Sequence, residues 1–247
     1  MANITKMAGG YFGGRSLVQQ TGTKGGARHV FVKFDDIKDD LVFPTFGGQV
    51  MNPFPGAAKL FAGDLMEFRT ETDGLKGKVW ILKTYEVVSA SGTTVNIVRD
   101  GYHHIPFVSD VLTVAPETIG GTGAAMTVVA VTKTKVDTQD VWALTLSAAP
   151  TTAPAKGDIL VECDSTGKML VKNINACAAW DYDFMWSQAA DPTDEDEFEA
   201  ARYFLTPTLR GTIYESRMSP MPKCVKDLNI SNINGWFRFD ALNKPNV

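Results

Sequence analysis

Few residues in this sequence have both the type and the spacing that chemistry needs. His103 and His104 are adjacent. Neighbouring side chains of an extended chain leave opposite faces, so the pair is ill placed to hold one metal ion. A turn position beside Gly101-Tyr102 fits them better. Asp191, Asp194, Glu195, Asp196, Glu197 and Glu199 form an acidic run, but it lacks the glycine and the closing glutamate of a calcium loop. Cys163, Cys177 and Cys224 have no C-x-x-C spacing and cannot all pair within one chain, so reduced thiols in a cytosolic assembly environment are expected. Gly120-Gly121-Thr122-Gly123 lacks the Lys-Ser/Thr of a phosphate loop and reads as a flexible connection. There is no Gly-x-Ser-x-Gly nucleophile elbow, and a Cys–His nucleophile would have to join distant residues. Paired carboxylates for glycoside hydrolysis stay open, since any β domain carries some. The sequence therefore assigns no catalytic residue, no cofactor and no metal ligand.

The residues that stand out are aromatic and basic. Trp180, Tyr182, Phe184 and Trp186 recur at every second position, which puts them on one face of a strand. That face is either a core or subunit contact, or a platform on which sugar rings stack. Residues 1 to 29 are rich in glycine, and the stretch before Asp35 carries Lys6, Arg15, Lys24, Arg28 and Lys33 with no acid. It is either a leader without fixed structure or an extended arm laid on a partner. Tyr11, Phe12, Phe43 and Phe46 would anchor such an arm, with Arg15 among its charges. Together with Trp180, Trp186 and Trp236, these are the candidate interface residues.

The elements that would position them are strands. The 247 residues are 44% hydrophobic and 21% charged, ordinary for a globular protein. A formal charge of −4 argues against nucleic acid as the main partner. No apolar run reaches membrane length, and Met1-Ala-Asn-Ile-Thr-Lys lacks a signal-peptide core, so neither a membrane nor secretion is expected. A Gly-Asp phrase occurs twice, at Gly63-Asp64 and at Gly157-Asp158, each time ahead of a short alternating strand. Between the copies, Lys78 to Val88 reads as one strong strand turned at Ser91-Gly92 into Thr94 to Arg99. Met126 to Lys135 and Val141 to Ser147 repeat the hairpin. The fold class expected is mainly β: an antiparallel sandwich or barrel over residues 56–175, an extended glycine-rich arm and linker over 1–55, and an α+β extension over 176–247. The extension's one short helix is expected to start at Asp191-Pro192, carry Phe198, Ala201 and Leu205 on one face and stop at Pro207.

One further feature is an ensemble. The glycine-rich arm, the two Gly-Asp strands, Lys78-Val-Trp-Ile-Leu-Lys-Thr-Tyr-Glu-Val-Val and Val95-Asn-Ile-Val-Arg-Asp-Gly-Tyr-His-His together resemble the head fibre and head decoration proteins of tailed bacteriophages, especially the crAss-like group. The resemblance covers roughly residues 56 to 175. It implies a non-enzymatic virion protein on the capsid surface, assembled in the host cytoplasm. Its expected partners are the major capsid protein or other virion proteins and further copies of itself, a trimer before a dimer. The alternative is a carbohydrate-binding or tail-associated adhesin that meets a host surface glycan through the strand near Trp180.

Overall fold

A computed structural model of the chain describes residues 48–54, 59–69, 78–178, 181–183, 204–205, 207–208, 211–214, 218–226 and 237–240. In chain order the first strands are β1 (Gly48–Val50), β2 (Lys59–Leu60), β3 (Leu65–Arg69), β4 (Lys78–Ile81), β5 (Thr84–Ser91), β6 (Thr94–Val98), β7 (Val111–Val114) and β8 (Met126–Val136). There follow β9 (Gln139–Leu146), β10 (Ile159–Glu162), β11 (Ala176–Ala178), β12 (Tyr182–Asp183), β13 (Phe204–Leu205), β14 (Pro207–Thr208), β15 (Gly211–Tyr214), one helical turn α1 (Lys223–Lys226) and β16 (Phe237–Asp240). The described residues are mainly β, and they divide into two compact units. One unit takes Met1–Ile81, Ile174–Met218 and Asn229–Val247; the other takes Leu82–Asn173 and Ser219–Leu228.

The second unit is a closed antiparallel barrel of six strands, in the order β10-β5-β6-β9-β8-β7. Its hairpins are local. β5 turns into β6 over Gly92-Thr93, and β8 into β9 over Asp137-Thr138, where Asp137 sits in the left-handed region at φ 54. Closure is made by β10, which pairs with β5 on one side and β7 on the other. Alternate residues of the strands point inward: Tyr85 on β5, Ile97 on β6, Leu112 on β7, Leu144 on β9 and Leu160 on β10 are each 1% exposed or less. Burying each such side chain stabilises the fold by about 1.5–3 kcal/mol. A closed sheet has no free edge; on its closing strands β7 and β10 burial does not alternate, and Leu112 with Thr113 and Leu160 with Val161 are buried in succession.

The first unit holds a mostly antiparallel six-stranded sheet, order β13-β1-β4-β3-β11-β14, in which β1 and β4 run parallel. Two asparagines complete its rungs with side chains. Asn52 donates from Nδ2 to Ile81 O at 2.9 Å and accepts Ile81 N–H at 2.7 Å; Asn175 donates to Phe68 O and accepts Phe68 N–H, both at 2.7 Å. On the same sheet Arg69 lies over the Trp80 ring at 3.8 Å and pairs with Glu67 at 2.8 Å.

The two Gly-Asp phrases fold alike. Gly63 and Gly157 have φ of 86 and 88, a region open to glycine without a Cβ clash. In each, the aspartate N–H donates to the carbonyl three residues earlier, and its Oδ2 accepts that residue's N–H at 2.8 Å: Phe61 for Asp64, Ala155 for Asp158. A third copy stands at Phe107-Val108-Ser109-Asp110. Asp110 Oδ2 accepts Phe107 N–H at 2.8 Å, and Ser109 occupies the left-handed position at φ 76. The three turns launch β3, β7 and β10.

Several expectations change. Lys78 to Val88 is not one strand: β4 ends at Ile81 and β5 begins at Thr84, and the two belong to different units. Residues 81 to 85 are all buried, so no in-and-out alternation carries through. Leu65–Arg69 and Lys78–Ile81 thus join the first unit's sheet, although the sequence placed them with the hairpins that follow. Gly120 to Gly123 is not a loose connection either. Gly123 N–H donates to Gly167 O and Met169 N–H to Gly121 O, both at 3.0 Å. A Cβ on Gly167 would collide with the Gly123 carbonyl oxygen, so glycine at 167 is what lets these backbones touch; a Cβ on Gly123 would instead collide with Thr113 Oγ1. In the expected helix, Phe204–Leu205 is instead a strand paired antiparallel with Gly48–Gln49; a ladder partner outweighs the helical spacing of Leu205. Residues 191–203 lie outside the described residues, and the helical turn seen is Lys223–Lys226.

Candidate functional site

The barrel's most elaborate construction is the connection from β6 to β7, residues 99–110. It has no regular structure, yet polar side chains fix it at three points. Asp100 Oδ1 accepts the N–H of Tyr102 at 2.7 Å, the N–H of His103 at 3.0 Å and Nδ1 of the His103 ring at 2.7 Å. The other ring nitrogen, Nε2, faces Glu86 Oε2 of β5 at 3.5 Å. That is ion-pair reach, but not a hydrogen bond, and Nε2 is shielded from solvent.

His104 is the second fixing point and is 1% exposed. Its Nδ1 accepts the N–H of Thr84 at 3.0 Å, so the ring proton sits on Nε2, which meets Ser219 Oγ at 3.1 Å. Ser219 therefore accepts from the histidine. A general base must present a bare nitrogen to the hydroxyl it activates, so this Ser–His contact is arranged for holding and not for nucleophilic attack. The Tyr85 ring stands edge-on to His104, centroids 6.3 Å apart.

The third point lies where the barrel closes. Asp110 holds the Phe107 turn and receives the Tyr85 hydroxyl at 3.5 Å. Lys83, just before β5 and almost fully buried, pairs with Glu162 at the end of β10 at 3.2 Å. Lys83 just before β5, Asp110 just before β7 and Glu162 at the end of β10 stand at the ends of the three strands that complete the barrel. Burial pushes the Tyr85 hydroxyl well above the usual phenol range, reinforced by the charges of Asp110 and Glu162. Burial also raises the Asp110 carboxyl, against the opposing Phe107 N–H and the Lys83 charge. Cys163, next to Glu162, is pushed up to about 12 by burial and then by Asp164 and Glu162, so its thiol is no nucleophile.

On this fixed loop three large apolar side chains face solvent. Tyr102 is 47% exposed, Ile105 37% and Val108 57%. The sequence did not single them out. The signal that could have found the loop is the third turn: Ser109-Asp110 ahead of Val111-Leu112-Thr113-Val114 repeats the Gly-Asp phrase with serine in glycine's place. The two histidines do part company, His103 toward carboxylates and His104 into the barrel wall. Among the described residues no group of three His, Cys, Asp or Glu side chains is arranged to hold a metal ion. Cys163, Cys177 and Cys224 are all buried. No described helix is long and apolar enough to cross a membrane. The interface candidates Tyr11, Phe12, Arg15, Phe43, Phe46, Trp180, Trp186 and Trp236 all lie outside the described residues, as do Phe184 and its place in the aromatic stripe; Tyr182 is in β12, paired with Leu60.

Fold and site together define a class: a mainly β protein whose barrel displays a braced apolar loop. Comparison with protein-family models, with curated proteins and with solved structures finds no match for this chain.

Proposed function

We propose that this chain is a structural, non-catalytic protein of a bacteriophage virion, which decorates the capsid surface by binding the capsid lattice and further copies of itself. The observation that carries the reading is the loop of residues 99–110, where Tyr102, Ile105 and Val108 are exposed on a backbone that Asp100, His104 and Asp110 hold in place. Apolar side chains on a braced loop lose little freedom on docking, so their burial goes into affinity. The polar residues around them are occupied in holding the chain, which is the arrangement of a binding scaffold. The resemblance to head fibre and head decoration proteins supplies the capsid as the partner.

The test is co-sedimentation of the purified protein with empty capsids. Val108→Asp and Tyr102→Ser, both at exposed positions, are expected to weaken association by about tenfold or more with the fold intact. Variants that bind like the parent would remove the loop from the contact, and a parent that ignores capsids but binds a glycan array would overturn the capsid reading in favour of an adhesin.

A further inference from the structure

His103 joins two elements of the barrel unit through its two ring nitrogens. Nδ1 must carry a proton, because it faces Asp100 Oδ1 at 2.7 Å and a carboxylate only accepts. What changes with pH is Nε2. When Nε2 is protonated, the imidazolium bridges Asp100 of the loop and Glu86 of β5. When it is not, a bare lone pair faces the Glu86 carboxylate at 3.5 Å in a spot closed to water, with no donor between them. The ring is well buried, its side chain 12% exposed, so the repulsion is not fully relieved by solvent.

We propose that His103 is a proton-operated latch: its second ring proton ties the loop of residues 100–105 to Glu86 of β5, and loss of that proton loosens the loop around Tyr102 and Ile105 there, while His104 keeps its hold on Thr84. The charged groups facing the site are Asp100 from the loop itself, Glu86 from β5 and, acting on Glu86, Lys226 from α1. His103 itself does most to hold Glu86 in its ionised form; Lys226 adds a smaller pull the same way, and Asp100 opposes it.

The balance of these effects sets the direction. Burial alone would push His103 down, but the hydrogen bond to Asp100, the approach of Glu86 and both their charges outweigh it and hold it above the usual imidazole range. Contact with His103 holds Glu86 below the usual carboxylate range against burial, and Asp100 is likewise lowered, burial being outweighed by His103 and by the N–H groups of Tyr102 and His103. Since the folded chain favours the His103 proton, the latch contributes fully below the ordinary imidazole value and fades as pH climbs through His103's own, higher value. At the acid end the carboxylates' contribution holds above their ordinary values and fails as pH falls through their lowered ones. The latch is therefore shut between the carboxylates' lowered values and the ordinary imidazole value, and it opens as pH climbs through His103's raised one.

The test uses the full chain free in solution, so its failure would leave the capsid reading standing, and failure to bind capsids would leave the latch standing. The ring resonances of His103, assigned by their absence in His103→Gln, are followed by NMR against pH together with amide-exchange protection at Tyr102, His103 and Ile105. His103 is expected to titrate above free histidine, and protection at the three amides to fall by about two- to fivefold through the same titration, the scale of a half-exposed ion pair. Glu86→Gln, at a half-exposed position, is expected to lower the His103 midpoint and flatten the change in protection. A midpoint at or below that of free histidine, or protection that is level across the titration, would overturn the latch. Both are read on the unaltered chain, whatever the variants do.

Discussion

Ser109 holds a conformation that its two equivalents give to glycine. All three turns need a left-handed residue just before the aspartate, and at Ser109 the side chain meets that need at φ 76. Left-handed backbone costs an L-residue about 1–2 kcal/mol, while glycine adds about 0.5–1 kcal/mol of entropy to the unfolded chain. Ser109 is exposed, and its N–H, which donates to Val128 O at 2.8 Å, would be kept by glycine. Ser109→Gly is thus expected to stabilise the barrel by about 0.5–1 kcal/mol, read as a higher midpoint in urea with an unchanged slope. An equal or lower midpoint would mean that the serine side chain contributes something the geometry does not reveal.

At the scale of elements, the barrel depends on two irregular segments as much as on its strands. The Gly120–Gly123 stretch and the turn at Gly167 lie against each other, with Thr122 bridged to Lys168 and Cys163 to Met169. The contact ties the connection between β7 and β8 to the segment just after β10. Gly167 has φ 82, and a Cβ there would strike the carbonyl oxygen of Gly123, a backbone atom that cannot swing aside as a side-chain tip could. Left-handed strain and overpacking act together, so Gly167→Ala is expected to cost at least about 2 kcal/mol. Gly157 offers the control: its φ of 88 is alike, but a Cβ would meet nothing within 4 Å. Gly157→Ala should lose only the strain, less the entropy gained by leaving glycine, about 0.5–1 kcal/mol. Denaturant midpoints of the pair measure the difference; equal losses would show that the glycine-to-glycine approach carries no energy of its own.

For the whole molecule the open matter is assembly. The stretch before Asp35 is basic without a single acid, and the run from Asp191 to Glu199 is acidic without a single base. Opposite charges on two stretches of one chain can steer copies together and make association sensitive to salt, although each exposed pair adds little stability. The full chain is expected to sediment as a homo-oligomer, a trimer before a dimer. Removing residues 1–29 is expected to abolish association with capsids or with other copies while the far-ultraviolet β signature persists. A concentration-independent monomer would sink the oligomer, and a truncated chain that still decorates capsids would take the contact away from the arm.

Read alone, the sequence was enough for a mainly β chain, for most hairpins and for two of the three aspartate turns. These are local properties: alternating Val, Ile and aromatic residues, with glycine where the backbone turns left-handed, act within a few positions of one another. It was silent on β7, because the turn that starts that strand hides its signature behind Ser109. It ran β4 into β5, because continuous burial at residues 81–85 looks the same whether one unit or two supplies the neighbours. Closure of the barrel was beyond it for a related reason. β10 reaches β5 across more than sixty positions, with Ile159 opposite Glu86, and only three-dimensional packing fixes such a register. The braced loop was hidden most deeply. Asp100, Glu86, His103 and Ser219 are ordinary surface types in sequence, and they become a clamp only when the strands carry Glu86 to His103 and the chain returns Ser219 to His104, 115 residues away. Local pattern settles which segments extend and where they turn; which polar groups meet, and so which apolar residues are left facing solvent, is decided by long-range packing alone.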